Sequence, residues 1–236
     1  YLNPVRSRTN LAIFTHAHAQ RLLFEGKRAY GVEIIRRGKS ETIHGAHIIL
    51  SGGAIASPQL LEVSGVGDGE RLQELGIDVV HHAPDVGEHL QDHLLCKVVY
   101  GTEPECSINR EVQGVNLGAA ALKWFFLRQG PLTTGSAPVG AFCHTREGLE
   151  APDVQIHFAS GGTLYNNAGK IQAMKEPAIT AVVNQSRPES RGSIHIKSAN
   201  MADPPAISAN YLSSPMDQDT LLKGMRILLK VFQQSD

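Results

Sequence analysis

The most constraining stretch of this chain is a change of character between residues 48 and 65. Ile48-Ile49-Leu50 is wholly apolar and reads as the end of a buried strand. Ser51-Gly52-Gly53 follows at once, and a helical pattern begins within a few residues. Ser57 is expected as the N-cap and Pro58 as the first helical residue, where no backbone N–H is needed. Leu60, Leu61 and Val63 supply the apolar positions, and Gly65 ends the helix with a positive φ. A buried strand running into small residues and then a helix is the general shape of a βα turn that contacts a nucleotide. A chain carrying such a turn is expected to fold as an α/β protein.

The surroundings fit a mixed architecture. Arg21–Phe24 and Ala29–Ile35 are strand-like runs separated by Glu25-Gly26-Lys27, which is hairpin chemistry. Leu11–Thr15 and Ile77–Val80 read as further short strands, Glu70–Leu75 as a short helix stopped by Gly76, and Ala83–Gly87 as a turn. The pattern shifts near residues 94–100. Beyond it, Val115–Gln129 predicts a helix, with Leu117, Ala121, Leu122 and Phe125 at helical spacing. Gly135–Gly140 reads as a loop. Val154–Ala159, Ala178–Asn184 and Gly192–Lys197 read as strands, the last with Ile194 and Ile196 inward against His195 and Lys197 outward. Asp217–Phe232 predicts a helix with Leu221, Leu222, Met225, Leu228, Leu229 and Phe232 as its buried stripe.

Composition removes several classes of function. The net charge of −1 gives no basic surplus for nucleic acid and no acidic tail for a basic partner. No apolar run reaches the roughly 18 residues of a membrane helix. Cys96, Cys106 and Cys143 are widely spaced and contain no CxxC pair, which argues against a disulfide scaffold or a zinc site and for a reducing compartment. The histidines suggest no metal: His89 and His93 are four apart but no Glu follows His89, and the pairs at 16/18 and 81/82 lie on a strand and beside a turn. Ser57 lacks the Gly-x-Ser-x-Gly context of a nucleophile. Asp92-His93 is expected in inter-segment hydrogen bonding rather than as a catalytic pair, and Trp124, Phe125 and Phe126 are expected in the core.

The segment from Gly53 to Gly67, with its small pair, Ser57-Pro58, Leu60-Leu61 and Ser64-Gly65-Val66-Gly67, resembles the second signature of the glucose-methanol-choline (GMC) flavoenzymes. Asp85–His93 is similar to that family's Gly-Val-Gly-x-x-Leu-Gln-Asp-His run. Ser186–Gly192 resembles the opening of its C-terminal homology region, and Asn10–Phe24 the segment that leads to its adenine-contacting strand. The resemblance is nearest to the choline dehydrogenase-like branch. It implies an α/β fold of the FAD/NAD-linked reductase type. Residues 1–95 would be part of an FAD-binding domain and 96–236 part of a substrate domain with an antiparallel sheet, the homology region starting near 186. It implies FAD as cofactor, with cofactor contacts at Ala19, Ser51, Gly52 and Gly53. The sheet holding Val154–Ala159 would lie over the isoalloxazine ring; His157 on it stands open between lining the substrate cavity and ordinary strand packing.

The activity implied is hydride transfer from a small alcohol, choline-like or primary, to FAD; the resemblance names no electron acceptor. A hydroxynitrile lyase using FAD structurally and a non-catalytic relative stand as alternatives. The dinucleotide fingerprint is expected before Tyr1, and the catalytic histidine after Asp236, so the native chain is expected to extend both ways and no catalytic residue is assigned within it. Gly65-Val66-Gly67-Asp68-Gly69 has the wrong spacing for a pyrophosphate cradle. The expected location is cytoplasmic or peripheral to the inner membrane.

Overall fold

The computed structural model describes residues 1–234 apart from 136 and 167, so the loop expected over Gly135–Gly140 falls partly outside the described residues. In chain order the main elements are β1 (Ala17–Glu25), β2 (Arg28–Arg36), β3 (Lys39–His44), α1 (Gly53–Val63), β4 (Val66–Gly67), α2 (Gly69–Glu74) and β5 (His81–His82). There follow β6 (Leu95–Gly101), α3 (Gly114–Leu127), β7 (Val139–Cys143), β8 (Val154–Ala159), β9 (Thr163–Tyr165), β10 (Ile171–Ala173) and β11 (Ala178–Gln185). The chain closes with β12 (Ser193–His195), β13 (Ala206–Ser208) and α4 (Pro215–Phe232). The result is a mixed α/β fold with antiparallel sheets. No helix among the described residues is long and apolar enough to cross a membrane.

The chain divides into two compact units. One comprises Tyr1–Leu90 with Arg191–Asn210, the other Gln91–Ser190 with Tyr211–Asp236. A single cut near residue 95 therefore does not describe the packing, because β12 and β13 return to the first unit.

In the first unit, β1, β2 and β3 form an antiparallel meander. Glu25 pairs with Arg28 across Gly26-Lys27, and Gly26 takes φ +58°, as a two-residue hairpin of this twist requires. The core gathers Leu22, Leu60, Val63, Leu72, Ile77 and Ile196. Ser64, at the end of α1, ties helix to sheet: its hydroxyl donates to the Leu60 carbonyl (2.5 Å) and accepts the Leu22 N–H (2.8 Å). Gly65 follows at φ +87°, where a Cβ would lie 2.4 Å from the Asp78 carbonyl oxygen. The glycine at this helix end thus answers both a backbone angle and a close approach.

In the second unit, the sheet runs β6-β11-β8-β7, antiparallel throughout. One face carries Val154, Ile156, Ala181 and Val183, on which α4 lays Leu221 and Leu228. Ser214 caps α4 by accepting the Met216 N–H, with Pro215 in the first turn. Gly224 lets the helix approach: a Cβ there would lie 3.0 Å from Val183 Cγ2 and 3.1 Å from Val154 Cγ1.

Several local expectations are corrected. Helix α1 starts at Gly53, so Ser57 is not its N-cap and Pro58 lies inside it. The small residues at 52–54 allow the turn to begin early, and the bond that Pro58 cannot donate would have gone to the Ala54 carbonyl in the first turn. Residues 11–15, 48–50 and 77–80 are not in strands; among the described residues they enter no strand ladder, although Val80 donates its N–H to the Gly65 carbonyl (2.8 Å). The aromatic end of α3 is not core. Phe125 and Phe126 are 63% and 73% exposed, and Ala120 is the helix's buried residue. That helix is apolar on nearly all sides, so periodicity could not select a face. The buried stripe of α4 is rotated from expectation. Asp217, Thr220, Leu221, Gly224 and Leu228 face inward, whereas Leu222 and Leu229 are exposed.

Candidate cofactor-binding site

The sequence-predicted contacts converge in the first unit. Ala19 on β1, Ser51 and Gly52 line one cavity of about 350 Å³ with Ile48, Leu50 and Met201. Its lining is mostly apolar and rich in small residues, with His18, Ser51 and Ser57 as its polar side chains. This chemistry suits an aromatic heterocycle with polar edges better than a compact ion. Ile48–Leu50 reach it outside any strand. The side chains of Ile48 and Leu50 also pack against the core around Leu22 and Leu60, which fixes the segment without a strand partner, while Ile49 is 86% exposed.

The two glycines differ in what they do. A Cβ on Gly52 would press on Ala56 Cβ at 3.2 Å and the Ser57 nitrogen at 3.3 Å, so its smallness serves the first turn of α1 itself. Gly53 takes φ +77°, and a Cβ there meets nothing within 4 Å. Glycine is therefore favoured at 53 by conformation, and the space over it is open. Gly53 sits beside the cavity, at the helix start, rather than in its lining. A larger, open cleft of about 700 Å³ runs past Arg21, Glu33 and Asn200 and contains none of the expected site residues. Its polar groups are explained by the Arg21–Glu33 pair (2.6 Å) and the Ser40 hydroxyl on Glu33 (2.8 Å).

His157 belongs to the second unit. On β8 it pairs with Val182 of β11 and Gly140 of β7. It lies on the sheet face turned away from the α4 contacts made by its neighbour Ile156, and is half-buried. Asp92 and His93 form inter-segment hydrogen bonds, as expected. Tyr211 donates its hydroxyl to Asp92, an interaction that holds the phenol above its ordinary pKa, and His93 Nε2 lies 3.0 Å from the Ser186 carbonyl. No group of three or more histidine, cysteine or carboxylate side chains that could hold a metal occurs among the described residues.

Two features escaped sequence reasoning. Met201 reaches the cavity from a loop far along the chain. His195, expected to point outward, is buried (7% exposed) between two carboxylates. Nδ1 lies 2.8 Å from Glu62 Oε1, and Nε2 lies 2.8 Å from Glu88 Oε1. Glu62 itself is fully buried and also accepts the Ile196 N–H at 2.8 Å. Alternation misled here because β12 is covered on both faces: Gly87 stands so close that a Cβ would lie 2.1 Å from the Ile194 carbonyl oxygen.

Known proteins resemble this chain over nearly all of its length. Family models described as GMC oxidoreductase match residues 1–95 and residues 188–236. Oxygen-dependent choline dehydrogenase of Pseudomonas savastanoi pv. phaseolicola is 38% identical over 99% of this chain and 41% of its own length. The Pseudomonas aeruginosa enzyme of the same name is 38% identical, over 99% of this chain and 42% of its own length. The chain thus spans about two-fifths of the length of the curated relatives it matches. Among solved structures, an Aspergillus oryzae formate oxidase aligns with TM-score 0.88 at 20% identity, covering 98% of this chain and 45% of the other. A fungal aryl-alcohol oxidase aligns with TM-score 0.76 at 19% identity, covering 98% and 46%. With models of the two ends matching and an established fold in common, the chain belongs to the GMC oxidoreductase family.

Proposed function

We propose that the protein carrying this chain is an FAD-dependent oxidoreductase acting on CH–OH donors, and that the cavity at Ala19, Ser51 and Gly52 receives the adenosine half of the cofactor. The observation that carries the reading is the convergence of these residues, with Gly53 beside them, on one apolar cavity beside the first turn of α1. Bound FAD would supply the hydride acceptor for alcohol oxidation. This chain's own part is binding and orientation. Ala19 and Leu50 offer apolar contact to the base, the backbone at Ser51 and Gly52 offers polar groups at the rim, and Gly53 keeps the space above it clear. In the second unit, the open face of β8 with His157 is assigned to the substrate cavity. Residues 1–95 then act as part of an FAD-binding domain, joined by the returning segment 191–210 that carries Met201, and the rest of 96–236 acts as part of a substrate domain. The substrate is a small alcohol of the choline or primary-alcohol kind, a reading supported by relatives named for choline oxidation. The lyase and non-catalytic alternatives gain no support from relatives named as a dehydrogenase and oxidases.

The test is to purify the protein at its full native length and add choline or primary alcohols anaerobically while recording flavin absorbance. Bleaching of a bound flavin by one of these alcohols is expected. A flavin that stays oxidised with every alcohol tried would overturn the reading.

A further inference from the structure

The four-stranded sheet of the second unit has two unlike faces. Helix α4 fills one, and the other is the face assigned above to the substrate. Cys96 and Val98 of β6 pack with the α4 cluster, so Lys97 between them points to the substrate face. Val182 of β11 pairs with Lys97 on one side and with His157 of β8 on the other. Lys97, Val182 and His157 therefore form one row across that face, with Gly140 of β7 at its end. Two strand spacings set Lys97 and His157 about 10 Å apart along the row. Both are half-buried, so Lys97 is not a freely solvated surface lysine.

Nothing that holds Lys97 carries a charge. Its Nζ donates to the Thr163 carbonyl (3.0 Å) and stands 4.4 Å from the centre of the Tyr165 ring. Both partners lie on β9, whose Thr163 N–H donates to the Thr180 hydroxyl of β11 (3.1 Å). Strand β9 thus stands over the Thr180 end of the face, and Lys97 lies where that cover meets the His157 row. No carboxylate pairs with Lys97 among the described residues. Alternation places Leu95, Val99, Asn184, Gln155 and Phe142 on the same face, and none of them is acidic. Strands β9 and β10 contain no acid either. A carbonyl and a ring occupy the ammonium but leave its full charge in place.

We propose that Lys97 is a specificity-determining residue. Its uncompensated charge biases the substrate face toward alcohols that carry an anionic group and against those that carry a cation. Within the substrate class given above, choline is then the disfavoured member. A quaternary ammonium is held by carboxylates or by open aromatic faces, and the Tyr165 ring is already taken by Lys97. The proposal rests on the assignment of the His157 face to the substrate. A unit charge about 10 Å away, at an effective dielectric constant of about 20, changes binding by a factor on the order of tenfold.

The experiment uses the full-length protein as wild type, Lys97→Met and Lys97→Arg. Three alcohols are compared by kcat/KM for flavin reduction: choline, its uncharged isostere with carbon in place of nitrogen, and γ-hydroxybutyrate. Dividing each value by that of the isostere cancels whatever the substitution does to the hairpin or the fold. In Lys97→Met the choline ratio is expected to rise on the order of tenfold and the γ-hydroxybutyrate ratio to fall by a similar factor. Lys97→Arg keeps the charge and is expected to hold both ratios near those of the wild type. Ratios in Lys97→Met within about twofold of wild type, or an Arg variant that shifts as the Met variant does, overturn the proposal and leave Lys97 as an anchor of the hairpin. If Lys97→Met does not fold, Lys97→Gln takes its place, since its amide still donates to the Thr163 carbonyl. If none of the three alcohols reduces the flavin, the oxidoreductase reading fails. The thermal-midpoint shifts that the three ligands give wild type and variant then decide the charge rule, and equal or absent shifts overturn it.

Discussion

Glu62 in the first unit and Asp217 in the second are both carboxylates removed from solvent, and they are satisfied by opposite means. Asp217, 2% exposed, accepts the N–H groups of Glu189 (2.8 Å) and Ser190 (2.7 Å) and the Ser190 hydroxyl (2.5 Å). Burial pushes its pKa up, but these donors together outweigh that and hold it below its ordinary value of 3.8. Its principal donors, two backbone amides and a hydroxyl, do not ionise in the working range of pH. Glu62 has one backbone donor, and its other partner is a histidine shared with a second carboxylate. The comparison teaches that two equally buried acids can tie a helix to a loop by different partners. One is held by two backbone amides and a hydroxyl, the other by one backbone amide and a buried imidazole.

Breaking the Glu62 contacts is expected to have the largest effect. Glu62→Leu leaves the His195 ring and the Ile196 N–H buried without their acceptor, at a cost of about 1–3 kcal/mol for each group. Urea unfolding followed by far-UV signal measures this, and a total cost below about 1 kcal/mol would mean that these two contacts do not hold the helix. Asp217→Ala should come next, with about 1–3 kcal/mol for a buried donor left unpaired at residues 189–190, read from the same unfolding curves. Asp217→Asn sharpens the contrast at smaller size. Because the folded pKa of Asp217 is depressed, its stabilisation is present above the unfolded value near 3.8 and is lost as pH falls. Stability of the wild type should therefore drop on the acid side by about 1 kcal/mol more than that of the Asn variant. Equal acid slopes would contradict this. Leu222→Ala is the smallest change, within about 0.5 kcal/mol of wild type. It lies on the face of α4 away from Asp217, and a large loss in thermal midpoint there would mean the helix is turned the other way.

The parts of this molecule written in local chemistry were readable in advance. The hairpin at Gly26-Lys27 follows from its turn residues, and Gly65 from the need to end a helix. Ala19, Ser51 and Gly52 were placed by family resemblance, and they do share a cavity. What stayed hidden depends on tertiary neighbours. The inward face of α4 carries Asp217, Thr220 and Gly224, which polarity alone assigns to solvent; a loop to cap and a close sheet turn them inward. His195 alternates like a surface residue, and its two carboxylates are distant in sequence and unmarked by any spacing. Met201 lies on a loop, where no period operates. Ser57-Pro58 looked like a helix start because the pattern is locally good, but the glycines before it begin the helix sooner.

The central claim is that the start of α1 faces bound cofactor, and Gly53 tests it most directly. A Cβ there meets nothing within 4 Å in this chain, so a bulky side chain brings backbone strain but no close contact at its first carbon. The strain at φ +77° is about 1–3 kcal/mol for a non-glycine residue, and Gly53→Asn, which tolerates this conformation, controls for it. The measurement is the flavin-to-protein ratio of the purified full-length variants beside their far-UV spectra. Gly53→Leu should lose most of its FAD with a near-normal spectrum while Gly53→Asn keeps more. Full FAD occupancy in Gly53→Leu would contradict the account.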